Sequence, residues 1–337
     1  MFQLRNSFKT TFRQNIGRLG GLAAFLTVAT WVAACQVPVF RYAIERWVTD
    51  KYEVVLIQDG TAKAVELAHL DRLRTAAGES TNVTIRSVDI QQSTDAGLAE
   101  LWKKHGGSGI PVMAILYPQG AREVPDRLIY ACPIQDSFID QLFISPARQE
   151  ISKRLEAGQS AVWVFVASGN AQKDEPALQV LNRQLLQCQK SLTLPALEEL
   201  DITDAIVHEK ASQMRIEFST VTVAHDDQKE QFLRKILMAS EDDLATCGEP
   251  LAFPVFGRGR VLYALVGKGI NDEMILRACQ FVVGPCSCQV KAQNPGFDLL
   301  MSKDWEKAVG DVMISDPLPD TSDEPVFLKI PTGRATK

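Results

Sequence analysis

Among the side chains of this sequence that can do chemistry, the cysteines are the most unevenly placed. There are seven, and four of them, Cys247, Cys279, Cys286 and Cys288, crowd into the last third of the chain. Cys286 and Cys288 stand as Cys-x-Cys within Gly284-Pro-Cys-Ser-Cys288. Two thiols at that spacing can close a strained, easily reduced disulfide suited to exchange, or hold a soft ion such as Cu(I). The four can equally form two structural bridges, in any of three connectivities. No third ligand stands at a fixed spacing, so no metal site is legible, and structural bridges, exchange and metal handling all stay open.

The other reactive types give less. Cys188 sits on the apolar face of a predicted helix and reads as core, while Cys132 ends a predicted strand. His69, His105, His208 and His225 are scattered, with no metal-spaced pair, serine elbow or carboxylate pair beside them. In His225-Asp226-Asp227, between a predicted strand and a predicted helix, the aspartates read as helix caps. Gly257-Arg-Gly-Arg260 reads as a hairpin turn with exposed arginines; it lacks the spacing and the following helix of a phosphate loop. The chain shows no cofactor motif and is expected to use none.

These residues sit in a chain of 337, 46% hydrophobic and 23% charged, with a net charge of −5. That length suffices for two domains, each with its own core. No stretch after residue 20 concentrates Lys and Arg with aromatics, so nothing offsets phosphate charge and nucleic acid is not an expected partner.

Arg5, Lys9, Arg13 and Arg18 precede an uncharged run from Leu19 to Phe40, with no acidic residue before Glu45. A basic flank followed by an apolar run is the layout of an export signal, since the positive end stays inside while the run enters the bilayer. Residues 1–40 are therefore expected to be a signal or anchor segment, with the rest on the extracytoplasmic side of a cell-envelope membrane. Val32-Ala33-Ala34-Cys35 resembles the lipobox of bacterial lipoproteins, which implies cleavage before Cys35 and a lipid on its thiol. The valine and the long basic region depart from that pattern. The alternative is an uncleaved signal anchor, because a run reaching Phe40 is long enough for roughly 30 Å of hydrocarbon.

Beyond the segment, apolar periodicity predicts a strand at Tyr52–Ile57, a helix over 61–77, a strand at Asn82–Ile90 and a short helix over 95–105. Strands at Ile110–Tyr117 and Arg127–Cys132 and a helix from Ser145 to Ala157 complete a βαβαββα unit, residues 50–158. The same order returns over residues 160–290. It has a strand at Ala161–Ala167, a helix capped by Asp174 with Pro176 in its first turn, and, after an insertion, a strand at Arg215–Ala224. A helix bearing Phe232, Leu233, Ile236 and Leu237, a hairpin of Leu251–Phe256 with Val261–Val266, and a helix over 272–283 follow. Residues 291–337 form a C-terminal extension, partly disordered, in which the acidic, proline-rich stretch from Asp316 reads as a mobile tail.

This repeated order, with Ile110-Pro111 and Phe253-Pro254 opening the third strand of each unit, resembles the thioredoxin fold. The resemblance implies two tandem thioredoxin-like α/β domains and a cis-proline at Pro111 and Pro254 beside each active-site position. Redox members carry Cys-x-x-Cys where the first strand meets the first helix, whose N-terminus stabilises the thiolate. Here those positions read Gln58-Asp-Gly-Thr-Ala62 and Ser168-Gly-Asn-Ala-Gln172, without cysteine. Cys35–Trp47 also resembles the start of exported bacterial proteins of no assigned activity. The expected function is thus a membrane-anchored, non-catalytic binding or accessory protein with a protein partner in the envelope. The alternative is an envelope thiol protein using Cys286 and Cys288.

Overall fold

The computed structural model describes residues 35–60, 63–107, 110–194, 204–286 and 291–315. The expected signal or anchor up to Ala34, Cys288, and the acidic tail from Asp316 lie outside the described residues, and of Cys35 only the backbone is described. The chain enters through strand β1 (Cys35–Pro38) and helix α1 (Val39–Arg46), then runs through β2 (Tyr52–Gln58), α2 (Lys63–Ala77), β3 (Val83–Asp89), α3 (Ala96–His105), β4 (Val112–Leu116), β5 (Leu128–Pro133), α4 (Asp136–Phe143) and α5 (Pro146–Glu156). Next come β6 (Ala161–Val166), α6 (Ala171–Ser191), α7 (Ala205–Ser212), β7 (Phe218–Val223), α8 (Gln231–Met238), β8 (Leu251–Phe256), β9 (Arg260–Val261), β10 (Leu265–Val266) and α9 (Asp272–Val283). The short strands β11 (Pro285–Cys286) and β12 (Phe297–Asp298) and helix α10 (Trp305–Val309) complete it.

The result is a mixed α/β fold with two separate mixed sheets. The first has strand order β3-β2-β4-β5, with β2 parallel to β3 and antiparallel to β4. The second runs β12-β9-β8-β6-β7, with β6 parallel to β7 and antiparallel to β8, and β10 paired to β8. β1 and β11 form a small antiparallel pair of their own. Each sheet is covered on both faces, which is why β2 and β6 read as nearly unbroken apolar runs.

Strand alternation assigns those faces. In β6, Val162, Val164 and Val166 point into a core shared with the first sheet's Tyr52, Val54 and Leu56, while Ala161, Trp163 and Phe165 point into a layer made by α1, α6 and α9. On the far side of the first sheet, Val55 and Ile57 pack on Leu98 of α3. The shared core also takes up α2, α4, α5 and α8, so the two halves are cemented by one apolar mass. Each fully buried aliphatic or aromatic side chain contributes about 1.5–3 kcal/mol there.

Several helix starts match their capping chemistry. Asp95 accepts from the N–H groups of Gly97 and Leu98, Ser145 from Arg148 ahead of Pro146, and Asn271 from Met274. The structure differs from expectation at several places. α6 begins at Ala171 because Asn170, not Asp174, caps it, which leaves Pro176 inside the helix. The expected strand Val261–Val266 is split into β9 and β10. Pro111 directly precedes β4 as expected, but Pro254 lies within β8 rather than at its start. In a strand a residue's N–H and C=O point to the same edge. The Pro254 carbonyl accepts from Leu262 N at 3.1 Å, so its missing donor faces the gap between β9 and β10, where no ladder bond is lost. Finally, the uncharged run to Phe40 does not belong wholly to the expected signal or anchor segment: Val37, Val39 and Phe40 are buried against the second sheet.

Candidate functional site

The first place to look is where each central parallel strand hands over to its helix. In the first half Gln58 is buried, and its side-chain oxygen accepts from Gly60 N at 2.5 Å, closing the turn on itself. Asp89, at the end of the neighbouring β3, accepts from Gln91 N at 3.0 Å and from Gln92 Nε2 at 3.0 Å. In the second half Asp174 reaches back to accept from Ser168 N (2.9 Å), Ser168 Oγ (2.7 Å) and Gly169 N (3.1 Å). The His225 ring packs on Gly169, and its Nδ1 stands 3.2 Å from the Arg234 guanidinium. Arg234 also donates to the carbonyls of Ala167 and Ala224, tying together the ends of β6 and β7. These polar groups spend their hydrogen bonds on shaping the turns. Asp227 caps the short 3-10 turn at Gln228–Glu230, as its place between strand and helix suggested.

The cysteines are distributed differently from their grouping in the sequence. Cys247 lies against the shared core, its thiol donating to Leu244 O at 3.3 Å. Cys279 and Cys286 are on the opposite face of the second sheet, buried in the α1–α6–α9 layer. Cys279 has the Cys188 thiol, on α6, as a side-chain partner. That contact pushes the Cys279 thiol far up, with burial adding to it, and holds Cys188 below its usual range. Cys286 stands opposite Cys35 in the β1–β11 register. Cys132, half-buried on β5 opposite Met113, is pushed up by burial. Among the described residues no cluster of three or more His, Cys, Asp and Glu side chains could hold a metal ion.

The arginines of Gly257-Arg-Gly-Arg260 are not exposed. Arg258 donates to the carbonyls of Ile44 (2.7 Å) and Glu45 (3.0 Å), capping the C-terminus of α1, and meets Glu306 at 2.5 Å. Arg260 donates to Pro295 O and Asn294 O, pairs with Asp298 at 3.3 Å, and lies over the Trp47 ring. Both guanidiniums are consumed inside the fold.

Arg260 leads to a buried polar seam that sequence reasoning missed. Asp298 accepts from Asp50 N at 2.7 Å and from Lys291, while its carbonyl accepts from Tyr52 Oη at 2.7 Å. Asn82 binds Asp50 O and Leu299 O, and its own oxygen accepts from Met301 N. Farther along, Glu230 accepts from Ser145 Oγ and Ala147 N at the start of α5, and Arg148 donates to Leu142 O and Leu300 O. Burial pushes the Arg148 guanidinium down to about 10, and Glu230 nearby pulls it back, so it stays charged at neutral pH. Residues 297–301 thus run between the two halves as a polar-backed apolar strip.

A cleft of about 600 Å³ lies beside α1, the end of α5 and α7, lined by Phe40, Arg41, Lys210 and Arg215. Its cations are engaged: Arg41 with Glu45, Lys210 with the carbonyls of Val309 and Val312, and Arg215 with Glu217. No helix among the described residues is long and apolar enough to cross a membrane.

No family model matches this chain, and no curated protein matches it. Among solved structures, one similar to it is that of the first two thioredoxin domains of Saccharomyces cerevisiae Eps1p. It is 11% identical, with 68% of this chain and 92% of that chain covered, at a TM-score of 0.18. A likeness that slight bears on neither fold nor activity.

Proposed function

We propose that this chain is a membrane-held, non-catalytic binding or accessory protein of the cell envelope, with two thioredoxin-like units in tandem on the extracytoplasmic side. The observation that carries the reading is the way the chain enters the fold. Directly after the basic and apolar segment, β1 pairs with β11, and α1 buries Phe40, Tyr42 and Ala43 against the second sheet. Any anchor at or before Cys35 is then followed directly in sequence by the folded body. With Cys35–Phe40 inside the fold, the uncharged run left for a span is Leu19–Ala34. That is shorter than the roughly 20 residues a spanning helix needs, which favours lipidation of Cys35 over a signal anchor.

The thioredoxin-like reading is supported by the repeated βαβαββα order in two separate mixed sheets and by Pro111 ahead of β4. The non-catalytic reading is supported by the strand–helix turns, where Gln58 and Ser168 stand in place of attacking cysteines and their neighbours are tied up in local hydrogen bonds. Exchange through Cys286 and Cys288 is the weaker alternative, because Cys286 is buried at 1% exposure and an exchanging thiol needs access.

Three measurements test this. Alkaline phosphatase fused behind the full chain should be active in whole cells; an inactive fusion beside an active cytoplasmic reporter fusion overturns the export reading. Wild-type protein should show an intact mass that begins at a diacylglyceryl-modified Cys35, while Cys35→Ala accumulates as a heavier, unlipidated precursor. An unmodified Met1 start in the wild type would exclude the lipoprotein version. Purified protein should also fail to speed insulin-disulfide reduction above the buffer rate, and turnover abolished by Cys286→Ser would establish the thiol alternative.

A further inference from the structure

Helices α6 and α9 lie side by side over the face of the second sheet that carries Trp163 and Phe165. Cys188, one turn before the end of α6, and Cys279, in the second half of α9, meet between them. Their relative exposures are 0% and 1%, and the two thiols are side-chain partners within one buried cluster. Gln184, one turn earlier on α6, donates Nε2–H to the Cys188 sulfur at 3.8 Å. Leu181, Leu185, Ile275 and Val282 pack around them. Two thiols placed in one buried cluster by facing helices, rather than by neighbours on one helix, are the arrangement in which a bridge would crosslink two elements.

We propose that Cys188 and Cys279 are a disulfide site, and that in an oxidising compartment a bridge between them staples α6 to α9. The step balances as an exchange with an external disulfide, either glutathione disulfide or that of a protein oxidant. The Cys188 thiolate attacks one sulfur of that disulfide and forms a mixed disulfide. Cys279, giving up its proton, then displaces the second thiol. Two S–H bonds are lost, one S–S bond forms in the chain, and the oxidant takes up both electrons and leaves as two thiols. Because the pair is shielded in the finished fold, the exchange belongs to folding, before α9 closes over α6. The bridge closes a long loop through α7, β7, α8 and β8, so it restrains the unfolded chain strongly.

The site draws its cellular meaning from the export reading, but its chemistry can be tested without it. The full chain in detergent is unfolded with reductant and refolded in a mixed glutathione buffer. Remaining thiols are then blocked with N-ethylmaleimide in denaturant at mildly acidic pH, where exchange is slow, and the protein is digested without reductant. Mass mapping should recover a Cys188–Cys279 linked peptide two hydrogens lighter than its two parts, and the bridged protein should unfold at a higher urea midpoint than the same protein reduced. Cys188→Ala should leave Cys279 blocked by maleimide and bring the non-reducing midpoint to that of reduced wild type. Recovery of both wild-type cysteines as maleimide adducts, or of either one bridged elsewhere, overturns the proposal; this reading uses wild-type protein and does not depend on the variant folding. An inactive phosphatase fusion together with a recovered linked peptide would strike the export reading and leave the site standing.

Discussion

Asp298→Ala should cost roughly 3–5 kcal/mol of unfolding free energy, the range expected when one partner of a buried ion pair is removed and the other remains. The carboxylate is 3% exposed and its partner Arg260 is 4% exposed. Without it, Arg260 keeps only the carbonyls of Pro295 and Asn294, Lys291 loses one of its two carboxylates, and the Asp50 N–H loses its acceptor. An uncompensated charge and an orphaned donor then stay buried at the same place. Because Tyr52 opens the first sheet's β2, with Asp50 just before it, and Arg260 belongs to the second sheet, the loss should weaken both halves together, as one urea transition moved to lower midpoint. The comparison is Lys303→Ala, which removes a pair with Glu156 whose two side chains are 24% and 40% exposed and should change stability by no more than about 1 kcal/mol. If the two variants unfold at the same midpoint, the seam is not what joins the halves.

That seam also marks where the sequence stops being readable. The central strands were legible because burial on both faces leaves an unbroken apolar run, as in Ala161–Val166. Helix starts were legible where Ser145 or Asn271 supplies a capping oxygen. A charged residue carries no such mark: Arg260, Asp298 and Glu230 look like solvent-facing residues until three distant segments bring their partners to them. β12 is two residues long, too short for any period to show, and α4 was missed although Ile139, Leu142 and Phe143 have helical spacing. Residues 37–40 escape the sequence for a different reason. An uncharged run that continues into a folded core has no boundary in hydropathy, so Val37 and Phe40 read as part of the expected segment although they are buried in the fold. The cysteines show the same limit in the candidate site. Closeness along the chain suggests pairing within 247–288, and no period in the sequence could show that Cys279 also meets Cys188 through the packing of two helices.

Gly296→Ala is expected to be the most damaging single methyl group that can be added to the C-terminal segment. Gly296 has φ +97°, a conformation that side chains with a Cβ rarely adopt, and a Cβ built there would lie 1.9 Å from the carbonyl oxygen of Val261. The strain alone is of order 1–3 kcal/mol. The clash adds to it because the obstacle is backbone: Val261 pairs with Phe297 in the β9–β12 ladder, so either strand must move. A shift of β12 would carry Phe297, Leu299, Leu300 and Met301 partly out of the core shared by both sheets. A total loss of at least about 3 kcal/mol follows, and at roughly 2–4 °C per kcal/mol the melting temperature should fall by about 6–12 °C or more. Gly158→Ala separates strain from clash. Its φ is +94°, nearly the same, but nothing lies within 4 Å of the added carbon, so only the strain applies. Thermal unfolding should therefore rank wild type above Gly158→Ala and place Gly296→Ala well below both. Equal losses in the two variants would mean that β12 yields without disturbing the shared core, and that residues 297–301 do not bind the two sheets into one body.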